Sequence, residues 1–193
     1  MPTPTLDLGG HQMVALPRSA LSTLRAALLR DAPAAAVALR EAGYAGGESV
    51  FASFRRFLAE SDAGAGEPDT LSVDEFAHHA SLYFRASGWG TLTIGALQDA
   101  VAIVDSEDWA EADPASRLDH PACHLTTGMF ADFFGRVSPV PLAVLEVECR
   151  SMGSDRCRFL LADVGIMTSV YEEVERGAGY EEAIERVGEG ATL

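Results

Sequence analysis

Hydrophobic residues recur at steps of three and four through much of the first 60 positions, the spacing of one helix face. Leu21, Leu24, Leu28 and Leu29 mark a first helix from Ser19 to about Arg30. Asp31 and Pro33 restart the chain, and residues 31–42 read as a second, alanine-rich helix. Gly43 to Gly47 is expected to break it. A third helix then runs from about Glu48 to Glu60, with Val50, Phe51, Phe54 and Leu58 on one side. Residues 1–17 form a lead-in, and Ser61 to Thr70, rich in Gly, Asp, Glu and Pro, reads as a surface loop.

Ser72 and Glu75 match a capping box that opens a helix to about Arg85, with Phe76, His79, Ala80, Tyr83 and Phe84 along one side. Two short strands follow, Thr91–Ile94 and Asp99–Val104, and Ser106 to Leu118 reads as irregular, although it carries Trp109. His120 to Val137 reads as a helix with an aromatic face of Met129, Phe130, Phe133 and Phe134. Leu142–Cys149 and Arg158–Ala162 read as a hairpin. Asp163 caps a last helix with Val164, Met167, Tyr171 and Val174 in register, and a helical tail continues through Tyr180, Ile184 and Val187. Helices first, then strands, a helix, strands and a helix imply an α+β fold with an antiparallel sheet, as one domain over 18–193.

The 193 residues suffice for one substantial core. With 48% hydrophobic and 22% charged residues, extended disorder is not expected. The formal charge is −15, and all 14 basic residues are arginine, with no basic run. Such a chain is a poor match for nonspecific nucleic-acid or anionic-membrane binding. It has no run long enough to span a membrane and no secretory leader pattern, so a cytoplasmic location is expected.

Three cysteines in a reducing compartment argue against a disulfide framework. Cys123, Cys149 and Cys157 fall within 35 residues, with Glu146 among them. Thiolates gathered beside a carboxylate suit a tetrahedral zinc ion. The alternative is a pair of buried cross-strand thiols at Cys149 and Cys157. Glu146 and Cys149 are three apart, so on a regular strand they would face opposite ways. A joint role therefore requires a bulge or a strand end near Cys149. His120 and His124 flank Cys123 at helical spacing and could substitute as ligands, although roles outside the ligand set suit them better.

Cys123-His124-Leu125-Thr126-Thr127-Gly128, then Glu146-Val147-Glu148-Cys149, then Gly153 and Cys157-Arg158-Phe159 resemble the 4-vinyl reductase domain family. That family includes sensor domains of phenol-responsive bacterial activators and small proteins linked to bacteriochlorophyll synthesis. Its fold is similar to that of TRAPP vesicle-tethering subunits. The phenol sensors hold zinc with three cysteines and a glutamate, and the separations of Cys123, Glu146, Cys149 and Cys157 match theirs. The core of the resemblance spans 72–175.

The resemblance implies a standalone, zinc-stabilised sensor or carrier domain that binds a small aromatic or hydrophobic molecule, as a homodimer. An apolar pocket would be lined by Tyr83, Phe84, Val104, Trp109, Phe130, Phe133 and Phe134. The sensors place a tryptophan where this chain has Ile103 or Val104, and their histidine has only His78 or His79 as counterpart. A ligand more apolar than phenol is implied. No nucleophile elbow, phosphate loop or dinucleotide fingerprint is present, so no catalytic residue is assigned. Two further readings are an accessory role in tetrapyrrole modification and a dimeric interaction module using the apolar face of 164–187.

Overall fold

A computed structural model of the chain describes residues 13–31, 34–61, 66–98 and 100–190. Most of the expected lead-in, Pro33, the centre of the 61–70 loop and Asp99 lie outside the described residues. The elements are α1 (Arg18–Asp31), α2 (Ala35–Ser61), α3 (Val73–Ala86), β1 (Thr93–Gln98), β2 (Val101–Ser106), α4 (His124–Gly135), β3 (Leu142–Glu148), β4 (Cys157–Asp163), α5 (Val164–Glu175) and α6 (Tyr180–Gly190). The fold is α+β, with the four strands in one antiparallel sheet of order β1-β2-β4-β3.

Side chains alternate across the sheet and meet two helical layers. Val104, Phe159, Leu161, Val144 and Leu142 face α2, α3 and α4. Val101, Ile103, Leu160, Ala162 and Leu145 face α5 and α6. Central β4 is therefore covered on both sides, which explains its uninterrupted apolar run Phe159-Leu160-Leu161-Ala162. The capping box forms as expected: Glu75 N–H donates to Ser72 Oγ at 3.3 Å, and Ser72 N–H donates to Glu75 Oε2 at 3.0 Å.

The structure corrects three sequence expectations. Residues 35–61 are one helix, not two separated by Gly43–Gly47. A Cβ at Gly43 would lie 1.9 Å from the Leu125 carbonyl oxygen, and one at Gly128 would lie 1.9 Å from that of Arg40. The glycines are where α2 and α4 touch backbone to backbone, and this packing outweighs their low helix propensity. Next, α4 starts at His124 rather than His120, because the chain arrives at Cys123 to meet β3. Finally, α1 exposes Leu24 and Leu28, and its one buried side chain among those described is Arg25. On the other side of the sheet, Met167, Val170, Ala183 and Ile184 pack inward, while Val164 and Tyr171 stay exposed.

Candidate metal centre

Four elements deliver four donor groups to one buried point. Cys123 is the residue before the first turn of α4, and its backbone N–H donates to Glu146 Oε2 at 2.7 Å. Glu146 lies on β3, opposite Phe159. The register then slips, so that Glu148 rather than Val147 is opposite Arg158. This bulge consumes one residue. Val147 packs with the α5–α6 layer, and Glu148 accepts a 2.6 Å hydrogen bond from Tyr180 of α6. Cys149 is thereby returned to the face of Glu146, as the spacing of three required. A one-turn 3-10 helix, Arg150–Met152, and Gly153 at φ +95° reverse the chain toward Cys157 at the start of β4. That left-handed conformation suits glycine, which has no Cβ to clash.

The ligand atoms of Cys123, Glu146, Cys149 and Cys157 all lie within 4.8 Å of one another, and all four residues are buried. Cys123 Sγ is 3.8 Å from Cys149 Sγ and 3.9 Å from Cys157 Sγ. Thiolates about 2.3 Å from a central ion at tetrahedral angles stand about 3.8 Å apart. No disulfide joins the three. Glu146 Oε1 is buried and has no hydrogen-bond partner among the described residues. An orphaned buried carboxylate oxygen costs on the order of 1–3 kcal/mol or more, and a cation at the centre would supply its missing partner. The cluster could hold a metal ion.

The charges tell the same story. Burial pushes the Cys123 thiol well up, with its sulfur neighbours and the nearby carboxylates adding to the effect. Burial, and then Cys149, push Glu146 well above the usual carboxylate range. Cys149 is drawn far down by hydrogen bonds from the other two thiols and by the Ala122 backbone amide. At Cys157 the hydrogen bond with Cys123 lowers the pKa, but that with Cys149 and burial outweigh it and the thiol is pushed up. Without a cation the cluster thus concentrates its negative charge on one sulfur.

His120 stays outside the cluster, exposed, with Nδ1 2.6 Å from Asp119. His124 is half-buried, and burial together with Arg40 pulls it down to about 4, so its ring is neutral.

The surroundings contain residues that sequence reasoning missed. Glu111 is fully buried and accepts from the backbone N–H groups of Leu125 (3.0 Å) and Thr126 (2.8 Å) and from Thr126 Oγ1 (2.6 Å). It satisfies the first turn of α4, where a carboxylate is favoured. Burial nonetheless raises its pKa. Trp109 Nε1 donates to Thr126 Oγ1 at 2.7 Å, tying the 106–118 loop to the same turn. Glu111 follows Trp109 by two residues in a polar stretch, and nothing local marks it as a cap for a helix that begins only at His124.

The expected pocket residues separate into two groups. Tyr83, Phe84, Trp109, Phe130 and Phe133 form a packed aromatic core. Phe84 lies 5.0 Å from Phe133 and 5.6 Å from Phe130, centroid to centroid, in edge-to-face contacts. Tyr83 donates to the Val50 carbonyl at 3.1 Å, and burial pushes it up to about 12. Val104 and Phe134 instead line a cavity of about 760 Å³, together with Ile94, Ala102, Leu142 and Leu161. His78 and His79 of α3 are absent from its lining. This cavity sits at the far end of the sheet from the cluster. On β4, Leu161 follows Cys157 by four positions, about 13 Å along the strand.

Comparisons with known proteins agree with this geometry. The family model for the 4-vinyl reductase domain matches residues 103–162. No curated protein matches the sequence. Among solved structures, the phenol-responsive sensory domain of the transcription activator PoxR with phenol aligns at a TM-score of 0.60 and 16% identity, covering 91% of this chain and 83% of that one. A trafficking protein particle complex subunit 3 from Naegleria fowleri, covalently bound to palmitic acid, aligns at a TM-score of 0.57 and 12% identity, covering 75% and 91%. A vinyl-4-reductase family protein from Methanocaldococcus jannaschii aligns at a TM-score of 0.46 and 16% identity, covering 64% and 68%. At these identities the structural likeness establishes the fold alone. No described helix is long and apolar enough to cross a membrane. Residues 103–162, which carry Cys123, Glu146, Cys149 and Cys157, are a match to the 4-vinyl reductase domain family.

Proposed function

We propose that this chain is a zinc-stabilised small-molecule sensor or carrier domain, with Cys123, Glu146, Cys149 and Cys157 as the zinc ligands. The observation that carries this reading is the thiol spacing of 3.8 and 3.9 Å beside the orphaned Glu146 Oε1. Three sulfurs and one oxygen are a donor set for a borderline-soft divalent ion. Four protein donors leave a tetrahedral ion no open position, so its role is structural.

The ligand half of the reading rests on the cavity bounded by Phe134, Val104, Ala102, Leu142, Leu161 and Ile94. Its lining suits a small apolar or aromatic molecule held mainly by surface burial. The cytoplasmic setting and the homodimer belong to the same proposal.

Native mass spectrometry of the purified chain tests the metal: one zinc per chain is expected, and its absence would end the zinc reading. Titration with an apolar fluorescent probe tests the cavity, with saturable binding at one site expected. Binding that persists after Ala102→Phe fills the cavity would place the ligand elsewhere.

A further inference from the structure

Helix α1 is inverted relative to its sequence. Leu24 and Leu28 are 55% and 47% exposed, whereas Arg25 is 3% exposed. Burying an arginine without a carboxylate partner is costly, so the site must offset the charge in another way. Arg25 Nη1 donates to the Ala122 carbonyl at 2.9 Å, one residue before Cys123. Arg25 Nη2 donates to Ser151 Oγ at 3.4 Å, two residues after Cys149. Its Nε has no hydrogen-bond partner among the described residues. Ser151 is itself a junction: its Oγ accepts from the Asp113 N–H at 2.9 Å and its carbonyl from the Leu118 N–H at 2.8 Å.

Three thiolates and a carboxylate around a divalent cation leave an excess of negative charge, and buried Glu111 stands close by, within the field of Arg25. Among the buried residues the other cation is Arg158, which is committed to Asp105 by two hydrogen bonds of 2.8 and 2.7 Å.

We propose that Arg25 is a positioning residue of the metal centre: it clamps the two ligand-bearing loops together, offsets their negative charge, and so couples the docking of α1 to metal occupancy. This rests on the zinc reading above. Coupling of this kind is reciprocal, so losing the metal loosens α1, and losing Arg25 weakens the metal.

The test uses the full chain and zinc alone, in competition with a chromogenic chelator, alongside amide hydrogen exchange over residues 18–31. Removing an outer partner of metal ligands lowers affinity about 10–100-fold. Arg25→Met is therefore expected to weaken zinc at least roughly tenfold. Arg25→Lys, which keeps a cation, is expected to recover part of that loss. Arg18 also ties α1 to the body, through the Gly88 and Asp108 carbonyls, but away from the ligand loops. Arg18→Ala is expected to speed exchange in α1 while zinc affinity stays near wild type. In the wild type, stripping zinc is expected to speed exchange in α1, and in Arg25→Met exchange is expected to be fast with or without zinc.

Should Arg25→Met not fold, Arg25→Gln takes its place in the comparison with Arg25→Lys. Zinc affinity unchanged in Arg25→Met or Arg25→Gln, or lowered equally by Arg18→Ala, would overturn the proposal. A wild-type chain that takes up no zinc would overturn the zinc reading with it.

Discussion

The two ends of the sheet solve opposite problems. At one end Cys123, Glu146, Cys149 and Cys157 converge through a bulge, a one-turn helix and a helix start, each needing a particular residue at a particular place. At the other end Val104, Phe134, Leu142 and Leu161 enclose space with interchangeable apolar surface. One region is specified by polar groups that have no other partner. The other is specified by what is left unfilled. Helix α4 joins them, with Cys123 at its start and Phe134 near its end.

That contrast can be broken first at the cluster. Cys157→Ser is expected to abolish stoichiometric zinc and to lower the melting temperature by roughly 10 °C or more, a loss of about 4 kcal/mol at this chain length. Calorimetry with and without chelator checks it, and the mutant should no longer respond to chelator.

Damage to the shared helix comes next. Gly128→Val would drive a branched side chain into the Arg40 carbonyl, where even a Cβ lies at 1.9 Å. Overpacking of this kind costs about 3 kcal/mol. It should weaken both zinc retention and probe binding, whereas Cys157→Ser acts first on zinc. Chemical denaturation with zinc and probe titrations separates the two.

At the cavity end, Ala102→Phe should abolish most probe binding while zinc content stays at one per chain and stability moves by about 1 kcal/mol or less. Loss of zinc in this variant would show that the two ends are not independent.

The smallest effect concerns pH. Glu111 has its pKa raised by burial. A carboxyl raised in the folded state contributes stability that is full below its unfolded value and is lost as pH rises through the folded one. With zinc saturating, wild-type stability should therefore fall more steeply above the ordinary carboxylate range than that of Glu111→Gln. Denaturation midpoints across that range decide it, and parallel curves would assign Glu111 no such role.

What was legible in the sequence was what depends on neighbours in the chain. Ser72 and Glu75 cap α3 because both partners lie within one turn. The Cys149–Cys157 hairpin was readable from its turn and its apolar strands. The bulge at Val147 was foreseen as a requirement, from the odd spacing of Glu146 and Cys149, although not as a position. Gly43 to Gly47 misled because a helix-breaking residue and a helix-packing residue look alike until α4 is in place. Leu24 and Leu28 misled because periodicity finds a stripe without saying which side meets the body. Glu111 and Arg25 act across 14 residues or more, through groups that come together only in the folded chain. The cavity had no signature of its own, since its lining comes from the strands, α3, the end of α4 and the turn after it, and α5.

X-ray absorption at the zinc edge, on protein purified without added metal, addresses the cluster most directly. The expected shell is three sulfurs at about 2.3 Å and one oxygen at about 2.0–2.2 Å. A spectrum with no zinc, or with a shell of only nitrogen and oxygen, would contradict the assignment of Cys123, Glu146, Cys149 and Cys157 as its ligands.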